Sequence, residues 1–263
     1  MTLLDAIRYR AMKIGGNSSK VLFSLHLMLF PRQRRQIPAY LAPSSCAPQR
    51  RIPRIVWQTN YSRSVTRQVY MCFRFNRLLT RNYAYNLFDD AQCDRFVAEN
   101  YPGEINEAYR RLTVGAARAD FWRVLVLLRH GGIYLDMDAN FSDLPDRHID
   151  DAAETLFIAM NNGEVTNYFI ASAPGDAVLK DVCDRIVRNI NEGLLKSVYD
   201  LTGPRVLDAA VKAHGVQPLN YKKICVQGQF VNKRGQYIDK PGGDWMSAQT
   251  SAPIISAKDE NRS

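Results

Sequence analysis

One stretch constrains this chain more than any other: residues 115–140, GAARADFWRVLVLLRHGGIYLDMDAN. Phe121, Val124, Leu125 and Leu128 fall at i, i+3, i+4 and i+7, one face of an amphipathic helix. Gly131 and Gly132 stop that helix, since glycine accepts the positive φ that helix ends require. From Ile133 to Asp138 the pattern alternates as on a strand. Ile133, Leu135 and Met137 share one face, and Tyr134, Asp136 and Asp138 the other. Two carboxylates on one face repel each other, and a shared cation relieves the repulsion. A hard divalent ion with oxygen ligands, Mn²⁺ or Mg²⁺, suits one or two carboxylates together with substrate phosphates. A D-x-D by itself is equally a solvated strand end; here the preceding helix, the glycine turn and the apolar opposite face accompany it.

The flanking segments predict an α/β sheet around this unit. IPRIVWQT at 52–59 and YAYNLF at 83–88 read as strands, the second followed by a helix from Asp89-Asp90 to about Asn100. LFIAMN at 156–161 and YFIAS at 168–172 read as two more, and 175–190 as an amphipathic helix. Hydrophobic content of 46% is ample for a core, which excludes global disorder. The five cysteines, 46, 72, 93, 183 and 225, contain no C-x-x-C, so neither a zinc site nor a disulfide framework is supported. No P-loop, dinucleotide fingerprint, zinc-protease or nucleophile-elbow motif occurs.

At IPRIVWQTN (52–60), ARADFWRVLVLLRHGGIYLDMD (117–138) and, more loosely, NYFIASAPG (167–175) and LTGP (201–204), the chain resembles glycosyltransferase family 32, the DXD-containing sugar transferases. The resemblance implies an α/β fold of GT-A type, a Rossmann-like mixed sheet flanked by helices, with a catalytic domain over 51–250 and a tail over 251–263. It implies a metal-dependent, retaining transfer of sugar from a UDP- or GDP-sugar to a glycan or lipid-linked saccharide, in cell-surface polysaccharide or glycolipid synthesis. Asp136 and Asp138 would then hold Mn²⁺ or Mg²⁺. Trp57 would stack on the base, with Gln58 and Thr59 beside the nucleotide. Arg118, Asp120, Arg123 and Asn167 would meet the donor sugar, and Asp244-Trp245 would form a lid over the diphosphate. Residue types alone leave other readings open. Without the resemblance Trp57 reads as core, Asp120–Arg123 has the alternative of a mere i,i+3 ion pair, and Asn167 is equally a turn residue.

Charge is unevenly spread. Residues 1–88 carry 15 Lys/Arg and a single acid, Asp5, whereas residues 89–263 carry 20 Lys/Arg and 25 acids. The basic third points to an anionic surface, lipid or nucleic acid. Residues 1–30 hold two apolar patches, one with rough helical spacing at Leu3, Leu4, Ile7 and Met12 and one nearly continuous from Val21 to Phe30. The second is too short to span a bilayer, which takes about 20 residues as a helix. The two readings are an interfacial segment with Arg8, Arg10, Lys13, Arg32, Arg34 and Arg35 on headgroups, and a helix packed on the domain. Residues 37–50 read as a linker, so 1–50 stands as an N-terminal segment before the catalytic domain. The thiols suit a reducing compartment and a peripheral place on the cytoplasmic face of a membrane. The alternatives are a two-metal nucleotidyl or phosphoryl transferase, with Asp89, Asp90 or Asp143 as a third acid, and a non-enzymatic nucleic-acid module. The latter is disfavoured because no RRM, KH or zinc signature is present.

Overall fold

The β-branched run Ile55-Val56 after Pro53 starts the central strand, and the rest of the sheet assembles on it. The computed structural model describes residues 3–46, 48–240, 244–251 and 253–257. The first elements are α1 (Leu3–Leu29), β1 (Arg35–Gln36), β2 (Tyr40–Leu41), β3 (Ile55–Thr59), β4 (Ser64–Val65) and α2 (Arg67–Leu79). Next come β5 (Ala84–Phe88), α3 (Asp90–Asn100), α4 (Glu104–Arg111), α5 (Gly115–His130), β6 (Gly132–Leu135) and β7 (Ala139–Phe141). Then follow β8 (Thr155–Ala159), β9 (Val165–Ser172), α6 (Ala177–Glu192), α7 (Val198–Leu201), α8 (Pro204–Ala213) and β10 (Leu219–Asn220). The last are β11 (Cys225–Gln227), α9 (Lys233–Tyr237) and α10 (Trp245–Ser251).

Seven strands form one mixed sheet in the order β10-β8-β9-β6-β3-β5-β2. β3 runs parallel to both β5 and β6, with Val56 beside Ile133 and Trp57 beside Tyr134. β9 is antiparallel to β6 and β8, and β2 closes the far edge antiparallel to β5. The pleat sends alternate side chains into two cores. Trp57 and Tyr134 join α3, α5, α6 and α8 on one side, while Val56, Ile133 and Leu135 join α2 on the other. α5 is the most enclosed helix, with Phe121, Trp122 and Val124 to Leu127 all buried. The Gly-Gly junction is sterically required. At Gly131, φ +63°, a Cβ would lie 2.7 Å from Pro174 Cδ; at Gly132, φ +106°, it would lie 2.7 Å from the Ile55 carbonyl.

The stretch read as a linker is part of the folded unit. Ile37 is buried, β2 pairs with β5, and β1 pairs with β4. The two N-terminal apolar patches form one continuous helix, α1, which packs on α2 and on residues 221–223. Arg8 anchors it to Asp143 at 2.5 Å, and Ser24 Oγ accepts from Gln68 and Asn232.

Candidate active site

β6 stops at Leu135, one residue short of the first carboxylate. The Asp136 N–H still donates to the Tyr168 carbonyl at 2.9 Å, but the Ala139 N–H donates back to the Asp136 carbonyl at 3.0 Å. Asp136 and Asp138 therefore stand on a tight turn between β6 and β7, not on the strand the alternation predicts. Gln58 clamps the turn. Its Nε2 donates to the carbonyls of Leu135 and Asp136 at 3.2 Å each, and its Oε1 accepts the Tyr85 hydroxyl at 2.7 Å. β7 then pairs with β11, Ala139 opposite Gln227, and the Gly228 N–H donates to the Asp138 carbonyl at 2.9 Å. That register lays the Gln227 amide across both carboxylates, its Nε2 3.3 Å from Asp136 Oδ2 and 3.0 Å from Asp138 Oδ1.

α5 contributes the opposite wall. Arg123 Nη2 lies 2.9 Å from Asp120 Oδ1 and 3.3 Å from Asp136 Oδ1, and Nη1 donates to the Asn167 carbonyl at 2.6 Å. Its guanidinium also rests over the Tyr134 ring, 4.4 Å from the centroid. Asn167 Nδ2 donates to Asp120 Oδ1 at 2.9 Å, and the Thr202 hydroxyl to Asp120 Oδ2 at 3.3 Å. The Tyr134 hydroxyl donates to Asp136 Oδ1 at 2.8 Å. Apart from Thr202, which lies behind Asp120, these side chains, with Thr59, Tyr237 and Lys240, line a cavity of about 330 Å³ beyond the C-terminal ends of parallel strands β3 and β6.

The charges in this cavity do not balance. Burial pushes the Asp138 carboxyl up to about 7, and the charge of Asp136 raises it further against the Gln227 hydrogen bond. Burial likewise pushes Asp120 up to about 7, opposed by Arg123, Thr202 and Asn167 and aided by Asp136. Burial works against the Arg123 charge, but the surrounding carboxylates outweigh it and hold its pKa above the ordinary value. With Asp90 and Lys240 also in the wall, four carboxylates face two cations, of which the Arg123 guanidinium is already committed. Two carboxylates and an amide, all able to present oxygen, fit a hard divalent cation at Asp136, Asp138 and Gln227. Among the described residues no three His, Cys, Asp or Glu are grouped to hold a metal. The third acid of a two-metal site is thus not supplied by Asp89, Asp90 or Asp143. Asp89 caps α3, Asp90 lines the cavity apart from the pair, and Asp143 is held by Arg8, Arg147 and His148.

Several residues expected at the site lie outside the cavity wall or are held by other partners. Trp57 is 7% exposed, donates from Nε1 to the Gly131 carbonyl at 2.8 Å and stacks on His130. It belongs to the core and takes no part in the cavity wall. Gln58 is likewise buried and acts through the turn it clamps. Thr59 does reach the cavity, while its hydroxyl donates to the Phe88 carbonyl. Arg118 points away, paired with Asp94 and stacked over Tyr109. Asp244 accepts from the Met246 N–H at 2.9 Å at the start of α10, and the Trp245 side chain lies outside the described residues. Gln227, Tyr237 and Lys240 are not among the expected site residues, and Thr202 is expected only through the looser LTGP resemblance. The only sequence signal for Gln227 was the strand-like ICVQGQF, which does not reveal its partner strand.

Residues 62–154 match the family described as glycosyltransferase sugar-binding region containing DXD motif. Over that stretch, about a third of the chain, it is similar to the DXD-containing glycosyltransferases. Within them, it is 34% identical over 102 residues to an initiation-specific α-1,6-mannosyltransferase of Schizosaccharomyces pombe, covering 37% of this chain and 24% of that protein. It is 30% identical over 92 residues to a mannosyl phosphorylinositol ceramide synthase of Saccharomyces cerevisiae, covering 35% and 24%. The chain spans about a quarter of the length of these curated relatives. In structure it is similar to PaToxG glycosyltransferase, with a TM-score of 0.50, 14% identity and 80% of each chain covered. The fold is that of GT-A glycosyltransferases. The matched region contains the D-x-D Asp136-Met137-Asp138, together with Asp120 and Arg123.

Proposed function

We propose that this chain transfers a sugar, with retention of anomeric configuration, from a nucleoside-diphosphate sugar to a hydroxyl of a glycan or lipid-linked saccharide, in building a cell-surface polysaccharide or glycolipid. The observation that carries the reading is the carboxylate-rich turn at Asp136 and Asp138 facing the Asp120–Arg123 pair across one cavity. Asp136, Asp138 and the side-chain oxygen of Gln227 would hold Mn²⁺ or Mg²⁺. When bound, the cation supplies Lewis-acid neutralisation of the charge that develops on the departing diphosphate.

The chain's own residues do the rest. Asp120 and Arg123 orient the sugar through its hydroxyls, and Asn167 and Thr202 fix Asp120 in place. Both Asp120 oxygens already accept hydrogen bonds, which suits an acceptor of sugar hydroxyls better than a nucleophile. Attack by the acceptor hydroxyl on the face the diphosphate leaves accounts for retention. The bond from anomeric carbon to phosphate oxygen breaks, the bond to the acceptor oxygen forms, and the acceptor proton passes to the diphosphate. The relatives' names make mannosyl the first sugar to try, with GDP- and UDP-linked donors side by side.

The test is donor hydrolysis and transfer with UDP- and GDP-sugars, in Mn²⁺ and in EDTA, for wild type and Asp138→Asn. The account expects turnover of one donor, lost in EDTA and in the variant. Equal turnover by wild type and variant would overturn it.

A further inference from the structure

α1 hides one side and exposes the other. Its buried residues are Gly16 and Leu27. Gly16 lies so close to residue 229 that a Cβ would sit 2.6 Å from the Gln229 carbonyl. The opposite side carries Leu3, Ile7, Ile14, Val21, Leu25 and Met28, between 53% and 80% exposed. At 100° per residue these six fall within an arc of about 60°, centred about 140° from the buried pair. Neighbouring leucines widen the stripe. Along a helix of 27 residues it extends for about 40 Å. An apolar strip of that length on a folded surface marks an interaction site. No helix among the described residues is long and apolar enough to cross a membrane.

The charges around the stripe identify what it meets. Arg10 and Lys13 are exposed along one flank, and Arg32 and Arg35 are exposed just beyond its C-terminal end. Asp5 is the only acid in the helix, and it lies on the docked side of the wheel. Pairing two copies through this stripe would set cationic flanks against each other. An anionic lipid surface satisfies both the apolar strip and the flanking cations.

We propose that α1 is an interfacial helix that lays its exposed stripe into an anionic bilayer, with Arg10, Lys13, Arg32 and Arg35 at the headgroups. The cytoplasmic leaflet, which carries anionic lipid, is the matching surface. The surface is separate from the cavity, so it stands whether or not the sugar-transfer reading does. Removing residues 1–36 is a poor test, because it would also strip the packing from Gln229, two residues from Gln227. Substitutions confined to the exposed stripe avoid that.

The experiment is co-sedimentation of the whole chain with phosphatidylcholine vesicles and with mixed phosphatidylcholine–phosphatidylglycerol vesicles, the latter carrying the negative surface potential of an anionic leaflet. Wild type is compared with Val21→Glu/Leu25→Glu and with Arg10→Glu/Lys13→Glu. The expected result is binding only to the anionic vesicles, weakened by salt and reduced on the order of tenfold or more in each variant. Both variants should keep the wild-type melting temperature, since all four side chains are exposed. Absence of wild-type binding at low salt, or unchanged binding in both variants, would overturn the proposal. So would a wild-type dimer in light scattering that the stripe variant abolishes without any vesicle binding, which would give the stripe to a second copy of the chain.

Discussion

Carboxylates stand on either side of β7, and the chain treats them in opposite ways. After the strand, Asp143 receives Arg8 at 2.5 Å, Arg147 at 2.9 Å, His148 at 3.2 Å and the Leu144 N–H at 2.9 Å. Before it, Asp136 and Asp138 share one guanidinium, 3.3 Å from Asp136, and two neutral donors, the Gln227 amide and the Tyr134 hydroxyl. Asp143 serves the fold by tying α1 to the body, and the sequence supplies its counter-charges. The DXD pair is left short of positive charge in a cavity, and burial pushes Asp138 up to about 7. That imbalance is what the proposed cation site rests on.

The largest effect that would separate the two regions is on chemistry. Asp138→Asn should lower transfer by about 10²–10³-fold, the size of losing one electrostatic contact to developing charge, while leaving the melting temperature equal or higher. Normal turnover would place the catalytic charge elsewhere. The second difference is in pH dependence. Asp120 and Asp138, both pushed up to about 7, hold protons in the folded state that the unfolded chain releases near pH 4. Folding therefore loses stability as pH rises from about 4 through 7, and without added cation the melting temperature should fall by several degrees between pH 5 and 8, roughly 2–4 °C per kcal/mol. Mn²⁺ should flatten that slope; an identical slope in Asp138→Asn would contradict the assignment.

Asp143→Asn should behave in reverse. It should cost roughly 1.5–3 kcal/mol of stability, as for hydrogen bonds to charged groups, and leave donor turnover per folded molecule unchanged. Denaturant midpoints measured beside initial rates would decide it, and loss of activity at wild-type stability would erase the contrast. The smallest effect sharpens the inner site. Thr202→Val removes one donor to Asp120 and should reduce transfer about fivefold, equivalent to about 1 kcal/mol. A rate equal to wild type would remove Thr202 from the positioning network.

Local signals carried much of this architecture in the sequence. Asp89-Asp90 announced α3, which the structure closes with a capping box between Asp89 and Gln92. The segments at 83–88, 156–161, 168–172 and 175–190 all became strands or a helix within a few residues. Asp120, Arg123, Asp136, Asp138 and Asn167 converge because β6 and β9 pair in the sheet and α5 packs on both strands. What stayed hidden depends on distance along the chain. Gln227 reaches the DXD only through pairing of β11 with β7, about ninety residues earlier. Trp57 went inward because the close approach of Gly131 gave its N–H a carbonyl to bond. Gly15-Gly16 separates the two apolar patches in the sequence, and Gly16 is the position that lets one helix approach Gln229.

The central claim is that Asp136 and Asp138 are under-compensated in order to receive a divalent cation. Titrating Mn²⁺ into the protein while following the free ion by electron paramagnetic resonance tests this without any substrate. The measurement compares wild type with Asp136→Asn/Asp138→Asn and with Gln227→Ala. The account predicts one site in wild type, none in the double variant, and affinity reduced roughly 10–100-fold for Gln227→Ala, as for loss of a supporting ligand. Equal Mn²⁺ binding by wild type and the double variant would contradict it.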